Sequence, residues 1–459
     1  MSHNAYDILV IGSGMGGMCS AALLSQAGYR TLVVEALPRI GGRCSTIDYK
    51  GFKLITGVIG VEMGGSVESF FENIGATFDV RSAGAPHYRM GTSVIEVPSQ
   101  GGMKFLLEAA GGGPVEVEKL MAAISKAMKW KEPSPNVSLK DWIHQHSTNP
   151  DILKVFQTLV TATLLVNIEE IEAREFFAFI KTLRGVQQFG YCPNGSISLP
   201  AALADIVQRS EGAIWTHSRV KRILFEDGLV RGALIHQHGK EISVSASAVI
   251  SNASPLKTAE LIGRENLDSD YLKELDSTAI PAKVICLQIA AEQPLFAHNH
   301  MLVTGARRIN GIYQPTLICP EWAPPGKHLI IAGASPASSA APLDAQQEID
   351  LCLADLRDLF PEFEKNTDIL LAGAYHDDWP GMHSWPGRDM PRKTPIINLY
   401  NVGDGVKSSG YTGLPAVVHS GIMVAEEIKQ RLKLLAYSGI SHGSTSDNIG
   451  VSQPSTGQG

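Results

Sequence analysis

The stretch that decides the fold of this 459-residue chain is Tyr6-Asp-Ile-Leu-Val-Ile11 followed by Gly12-Ser-Gly14-Met-Gly-Gly17. Its first half is a nearly continuous apolar run, which is typical of a strand buried on both faces in a parallel sheet. Residues 18–26 are rich in Ala, Leu and Ser and predict a helix that stops at Gly28. Residues 30–35 predict a second strand, which ends in an acid.

The glycines between the two predicted strands indicate a dinucleotide site. Gly12 permits the tight turn, Gly14 lets the backbone approach a pyrophosphate, and Gly17 lets the helix pack closely on the strand. The helix N-terminus points unpaired N–H groups and the positive end of its dipole at the phosphates. Glu35 lies 23 residues after Gly12, close to the spacing of about 20 expected for an acid that binds a ribose hydroxyl pair.

The sequence after this strand resembles a known flavoprotein signature. The run Glu35-Ala-Leu-Pro-Arg39-Ile-Gly-Gly42-Arg43 is similar to the FAD-binding signature of the flavin amine oxidase and phytoene desaturase superfamily. The next segment, Gly51-Phe-Lys-Leu-Ile-Thr-Gly57, resembles the part of those proteins where the backbone passes near the isoalloxazine. The resemblance implies that FAD is the cofactor.

The C-terminal part carries a second match to that superfamily. Residues 396–404 predict a strand that ends in Gly403-Asp404, and residues 409–416 open a helix that runs to about Leu432. The resemblance implies that Asp404 contacts the ribityl or pyrophosphate part of FAD. It also places the N-terminus of the helix at the O2/N1 edge of the flavin, where a helix dipole stabilises negative charge.

A third match lies in the middle of the chain. Residues 219–226 and 229–236 flank Asp227-Gly228, which is a hairpin signal. This unit resembles the β-meander of the FAD-binding domain, in which Val220 meets the adenine through its backbone. Carried over position by position, the resemblance implies these FAD-binding residues: Gly12, Gly14, Met15, Gly17, Glu35, Ala36, Arg39, Gly42, Arg43, Gly57, Val58, Val220, Gly403, Asp404, Gly413 and Leu414.

Together these segments predict an α/β chain. A Rossmann-type FAD-binding domain, made of a parallel sheet plus the β-meander, takes residues 1–90, 190–255 and 385–435. A discontinuous α+β substrate-binding domain takes residues 91–189 and 256–384. Residues 131–136 are a linker by composition, and the polar, Ser- and Gly-rich residues 438–459 predict a disordered tail.

Composition excludes several classes of protein. The 39 basic and 46 acidic residues give a net charge of −7, which argues against a nucleic-acid partner. No apolar run reaches the ~20 residues that span a bilayer. No Lys or Arg precedes the apolar residues 8–24, so we expect a folded segment of a cytoplasmic protein rather than a signal peptide. Six scattered cysteines without a CxxC predict neither a disulfide framework nor a metal site.

One dinucleotide motif is present, because Gly111-Gly-Gly113 lacks a preceding strand and the right spacing. Electrons are therefore expected to pass to oxygen, a quinone or another carrier rather than to a second nucleotide. The expected reaction on a small-molecule substrate is transfer of a hydride from a C–H bond to flavin N5. The sequence does not define an oligomeric state.

Two outcomes of such a transfer stay open, and different residues favour each. Tyr411 lies where amine oxidases place one tyrosine of an aromatic cage that faces the flavin, which favours C–N oxidation. Many amine oxidases also hold a Lys near N5, and that place falls at Cys286, with Lys283 three positions earlier. The missing Lys and the desaturase-like residues 250–253 favour a desaturase that forms a C=C bond. A redox-neutral isomerase and a non-catalytic binding protein are further alternatives.

Residues 375–387 combine aromatic and polar side chains just before the last FAD-binding strand and predict a wall of the substrate site. Tyr411 and His383 are the candidate catalytic residues. His376 or His383 is a candidate base for a proton beside a carbonyl, and a surface loop with ordinary histidines is the simpler alternative. Tyr191 either lines the site or belongs to the core.

Overall fold

The computed structural model describes residues 5–130, 136–183, 186 and 188–432. The predicted tail and all but the last residue of the predicted linker lie outside the described residues. No helix within these ranges is both long and apolar enough to cross a bilayer.

The first sheet confirms the parallel sheet and the β-meander. Strand Ala5–Ile11 pairs in parallel with Thr31–Val34 on one side and with the second half of Lys240–Ser251 on the other. Ala213–Trp215 and Leu399–Asn401 extend the parallel part of the sheet. The meander consists of Ser218–Glu226, Leu229–Gln237 and the first half of Lys240–Ser251, all antiparallel.

The second large sheet has seven strands. Its pairing is antiparallel except where His300–Thr304 lies parallel to His87–Met90. That contact places His87–Met90 in the second sheet, although the predicted boundary of the FAD-binding part is residue 90. In spatial order the strands are Thr367–Tyr375, Val284–Ala291, His328–Ala334, Ile309–Tyr313, His300–Thr304, His87–Met90 and Ser93–Glu96.

Two smaller sheets lie beside these large sheets. One is the hairpin Thr46–Tyr49 and Phe52–Ile55, and the other joins Val61–Met63, Gln188–Tyr191 and Arg81–Ser82. The α-helices are Met15–Gln26, Ser66–Ile74, Gly102–Ala109, Pro114–Ala127, Leu139–His144, Pro150–Leu164, Ala173–Thr182, Ser198–Arg209, Pro255–Ile262, Ser269–Thr278, Ala345–Leu359, Phe363–Asn366 and Gly413–Arg431.

The apolar side chains form separate cores on the two faces of each large sheet and a further helical core. Helices Met15–Gln26 and Gly413–Arg431 pack on one face of the first sheet. The helical core contains Pro150–Leu164 and Ala173–Thr182, and the apolar residues of the first of these helices keep helical spacing from Ile152. All six cysteines are buried and free.

Two local predictions need correction. The first helix begins at Met15 rather than at residue 18, because the helical turns start directly at the glycines. The last strand of the first sheet contains only Leu399–Asn401, not residues 396–404. The reason is Asn398, whose φ of 63° breaks the extended backbone just before the strand.

Candidate functional site

The glycine turn has the geometry that its sequence predicts. Gly12 has a φ of 89°, which favours glycine, and its N–H donates to the Val34 carbonyl at 2.8 Å. A Cβ on Gly17 would collide with the carbonyl oxygen of Gly12, so the helix can approach the strand only without a side chain there. The helix begins at Met15, and its N-cap Gly14 offers no side-chain acceptor. The first N–H groups of the helix are thus free for a phosphate.

Glu35 stabilises this turn from the end of the second strand. It is 7% exposed, and one of its oxygens accepts from the backbone N–H of Ser13 at 2.9 Å and from the Ser13 hydroxyl at 2.6 Å. Its other oxygen accepts from the N–H of Leu37 at 2.8 Å. Glu35 therefore stabilises the glycine turn. It also lies at the position expected for the acid that binds the ribose hydroxyls. The Ser218 N–H donates to the Glu35 carbonyl at 2.8 Å, which brings the strand of Val220 alongside.

Asn252 is a residue of this turn that the sequence reasoning missed. It follows strand Lys240–Ser251, and its side chain lies so close to Gly14 that a Cβ on that glycine would collide with it. The Asn252 amide oxygen also lies about 3.0 Å from where a Cβ on Gly403 would stand. The Asn252 side chain thus lies between the Gly14 and Gly403 segments. Its position directly after a central strand is the sequence signal from which this role could have been predicted.

Two groups near the turn are free for a negatively charged ligand. Arg39 has a buried Nε with no hydrogen-bond partner among the described residues. The helix Gly413–Arg431 begins without a side-chain cap on its first N–H groups, and Gly413 is exposed. A buried donor without a partner is costly, so Arg39 Nε is suited to an acceptor oxygen of a cofactor. The exposed N-terminus of the helix is open to such an oxygen as well.

The centre of the site is a cluster of Arg43, Asp404 and His383, from segments far apart in sequence. Arg43 donates from both terminal nitrogens to the two oxygens of Asp404, each at 2.8 Å. This bidentate geometry is the strongest form of such a pair. Arg43 also donates to the Pro380 and Gly381 carbonyls at 3.1 and 2.9 Å. It therefore holds the segment that carries His383.

Burial opposes the ionisation of Asp404, but Arg43 and His383 together hold its pKa well below its usual range. Burial and the Arg43 charge lower the pKa of His383, so the imidazole is neutral at pH 7. His383 Nδ1 lies 2.7 Å from an Asp404 oxygen. Because an ionised carboxylate only accepts, the tautomer that fits has Nδ1–H donating to Asp404. Nε2 then keeps its lone pair, which can accept a proton.

Lys407 supports this cluster and was not singled out from the sequence. Its side chain is 1% exposed, and its ammonium donates to Asp389 at 2.9 Å and to the Ser384 and Asp404 carbonyls at 2.7 and 3.1 Å. A buried ammonium is tolerable only with such partners. It fixes the backbone on both sides of the Asp404–His383 contact.

The segment after the signature is held to the second large sheet next to this cluster. The Val58 N–H donates to the Arg43 carbonyl at 2.9 Å. Gln288, on a central strand of the second sheet, accepts from the Ile55 N–H and donates to the Ile55 carbonyl, both at 2.8 Å. The Trp379 indole N–H donates to the Thr56 carbonyl at 2.9 Å. Residues 55–58 are thus fixed from both sides.

Tyr411 lies just before the helix Gly413–Arg431. Its ring stacks on His419 with centroids 4.4 Å apart, and it lines a cavity of about 230 Å³. Glu175, which is 5% exposed, accepts from the Ser409 hydroxyl at 3.0 and 2.9 Å and from the Gly410 N–H at 3.3 Å. A buried carboxylate of the helical core therefore fixes the backbone that carries Tyr411.

The face of strand Val284–Ala291 that carries Gln288 also carries Cys286. Both residues point toward the Phe52–Ile55 strand, where Cys286 belongs to the same core as Phe52 and Leu54. Burial raises the pKa of Cys286 to about 12, so the thiol is neutral. Lys283 lies elsewhere and donates to the Ala341 carbonyl.

Two other candidates lie outside the central cluster. The side chain of His376 is 40% exposed, and its Nδ1 lies 2.8 Å from a carboxylate oxygen of its neighbour Asp377. Tyr191 is buried in the core against Trp322, with ring centroids 6.1 Å apart. The structure thus places His383 beside Arg43 and Asp404. His376 and Tyr191 lie outside that cluster.

A parallel sheet with a glycine turn, a β-meander and a second antiparallel sheet defines a class of dinucleotide-dependent oxidoreductases. The chain belongs to the flavin-containing amine oxidoreductase family, whose model matches residues 15–429.

Individual relatives cover nearly the whole chain. An uncharacterised protein of Methanocaldococcus jannaschii is 27% identical over 412 residues, which are 87% of this chain and 94% of that protein. A 15-cis-phytoene desaturase of Solanum lycopersicum is 21% identical over 474 residues, 94% of this chain and 78% of that protein. The solved structure of an oxidoreductase from Methanosarcina mazei has a TM-score of 0.82 and 29% identity, and the match covers 92% of this chain and 100% of that one.

The family confirms the predicted superfamily, fold and cofactor. The protein is an FAD-dependent oxidoreductase of the amine oxidase and phytoene desaturase superfamily. The free helix N-termini and the unpaired Arg39 Nε fit the phosphates and the flavin edge of FAD, both of which offer acceptor oxygens.

Proposed function

We propose that this protein is a desaturase-type dehydrogenase. It takes a hydride from a C–H bond and a proton from the adjacent carbon, and it leaves a C=C bond in a small or medium apolar substrate, including carbonyl-bearing compounds. FAD supplies the hydride acceptor, flavin N5. The electrons then pass to a quinone or another carrier.

The observation that carries the proposal concerns one position of strand Val284–Ala291. It is the position at which amine oxidases are expected to hold a lysine. That place holds Cys286, a neutral buried thiol, and Lys283 does not replace it because its ammonium binds the Ala341 carbonyl. A further support is the tomato relative, a phytoene desaturase that matches 94% of this chain.

The proposed roles of the remaining residues follow from their places. The first glycines and Met15 bind the pyrophosphate, Glu35 and Ala36 the ribose, and Val220 the adenine. Arg39, Gly42 and Arg43, with Gly57 and Val58, lie along the flavin, while Gly403 and Asp404 meet its ribityl chain, and Gly413 and Leu414 meet its O2/N1 edge. The division into an FAD-binding and a substrate-binding part belongs to the same proposal.

His383 is the proposed base. Its neutral ring donates from Nδ1 to Asp404 and keeps the Nε2 lone pair for the proton that leaves the substrate. Asp404 holds the ring through Nδ1, and Arg43 in turn holds Asp404.

The test is a comparison of reductants with the FAD-loaded protein under anaerobic conditions. Saturated cyclic ketones and acids should bleach the flavin absorption and yield the unsaturated product, whereas matched amines should not. Bleaching by amines alone, with imine or aldehyde as product, would contradict the proposal. A purified protein without flavin bands would favour a non-catalytic binding protein instead.

Amine oxidation is the second candidate, and Tyr411 favours it. A flat ring beside the flavin polarises an amine lone pair, and stacking on His419 fixes the orientation of this ring. Tyr411→Phe should reduce amine turnover strongly and desaturation much less. An equal loss in both reactions would exclude a cage role for Tyr411.

A further inference from the structure

The cavity beside Tyr411 contains a carboxyl group to which no role has yet been given. Glu62 lies on strand Val61–Met63, four residues beyond Val58, and it lines the cavity together with Thr182 and Thr412. Its residue surface is only 9% exposed. Within the described part of the chain, no hydrogen bond or ion pair reaches its carboxyl group.

Three elements build the cavity. Strand Val61–Met63 forms one wall, helix Ala173–Thr182 the second, and the residues just before Gly413–Arg431 the third. Phe179 and Leu183 make part of the lining apolar. A volume of about 230 Å³ lies below the ~300–1,000 Å³ of pockets that enclose whole ligands, so the cavity is suited to one end of a substrate.

We propose that Glu62 binds the carbonyl oxygen of the substrate by donating a hydrogen bond from its protonated carboxyl group. This inference rests on the proposed function and names the substrate class as neutral ketones or aldehydes. A buried carboxyl group without a cation nearby favours its neutral form, and the neutral form is a hydrogen-bond donor. An amine cation would require the ionised form instead.

The surroundings of Glu62 agree with this assignment. Burial raises its pKa to about 7. The ionisable groups near the cavity are Tyr411 in its wall and His419 behind that ring. The two helices beside it carry Glu68, Glu72, Arg174, Glu175 and Lys181. Glu68 accepts from the Gly64 N–H at 2.6 Å, and Lys181 donates to the Trp130 carbonyl at 3.4 Å.

The experiment measures binding of cyclohexanone by equilibrium dialysis to the FAD-loaded protein, reduced with dithionite so that no turnover occurs. A group with a pKa of about 7 is mostly protonated at pH 6 and mostly ionised at pH 8. The dissociation constant should therefore be about tenfold weaker at pH 8 than at pH 6. Glu62→Gln keeps an amide donor but does not titrate, so its dissociation constant should be the same at both pH values.

The matched control is Glu72→Gln, an exposed carboxylate on helix Ser66–Ile74, which should keep the tenfold effect. Three results would overturn the inference: equal wild-type affinity at both pH values, an unchanged pH effect in Glu62→Gln, or no binding of cyclohexanone. Binding of cyclohexylamine that strengthens from pH 6 to pH 8 would assign Glu62 to a cation instead. With any of these results, flavin reduction by ketones in the separate test would still support the proposed function.

Discussion

Arg43 is the residue on which the site depends most, because its partner Asp404 is buried and ionised. Arg43→Ala leaves that carboxylate without its bidentate donor. Loss of one partner of a buried pair typically costs about 3–5 kcal/mol, so a loss of this order in the free energy of unfolding is expected from urea titration. The double variant Arg43→Ala with Asp404→Asn should recover part of the lost free energy of unfolding. A loss below ~1 kcal/mol would contradict the role given to this pair.

His383 should control the pH dependence of the reaction at its acidic side. A base must be neutral, and burial with the Arg43 charge lowers its pKa below the usual 6.5. The value of kcat/KM should therefore fall as the pH drops below about 6.5, and this acidic decline is separate from the decline above about pH 7 that ionisation of Glu62 causes. His383→Ala should lower kcat by about 10²-fold or more and remove this limb. His376→Ala, on the exposed part of the same segment, is the control and should change neither.

At the scale of elements, Glu175 joins the helical core to the backbone before the last helix. Glu175→Gln replaces charge-assisted hydrogen bonds to Ser409 and Gly410 by weaker ones. Since such bonds contribute about 1.5–3 kcal/mol, we expect measurably weaker FAD binding by fluorescence titration and lower stability. Glu172→Gln, at the start of the same helix, should leave FAD affinity unchanged. Unchanged FAD affinity in Glu175→Gln would show that the contact does not position the FAD site.

The elements also show what a sequence can and cannot predict. The strand, glycine turn and helix of residues 5–26 were predictable because each signal is local and the spacing has one physical meaning. Glu175 and Ser409 are 234 residues apart, and neither lies in a motif, so their contact exists only once the helical core has packed. Glu62 and Lys407 were missed for the same reason, since burial rather than residue type defines their chemistry.

At the scale of the whole molecule, Gln288 joins the second large sheet to the hairpin Thr46–Tyr49 and Phe52–Ile55. Its amide makes two hydrogen bonds to the backbone of Ile55, and it is fully buried. Gln288→Leu leaves a buried donor and a buried acceptor unpaired, each costing about 1–3 kcal/mol. The thermal midpoint should fall, and FAD affinity should fall with it because residues 55–58 lose one anchor. A variant with wild-type stability and affinity would refute this coupling.

The most direct test of the central claim is the reoxidation of the bound flavin. The FAD-loaded protein is reduced without oxygen, and its visible absorption is followed after air and then a quinone are added. A desaturase-type dehydrogenase should stay reduced in air over the time in which the quinone restores the oxidised spectrum. Rapid reoxidation by air with release of hydrogen peroxide would contradict the account and favour an amine oxidase.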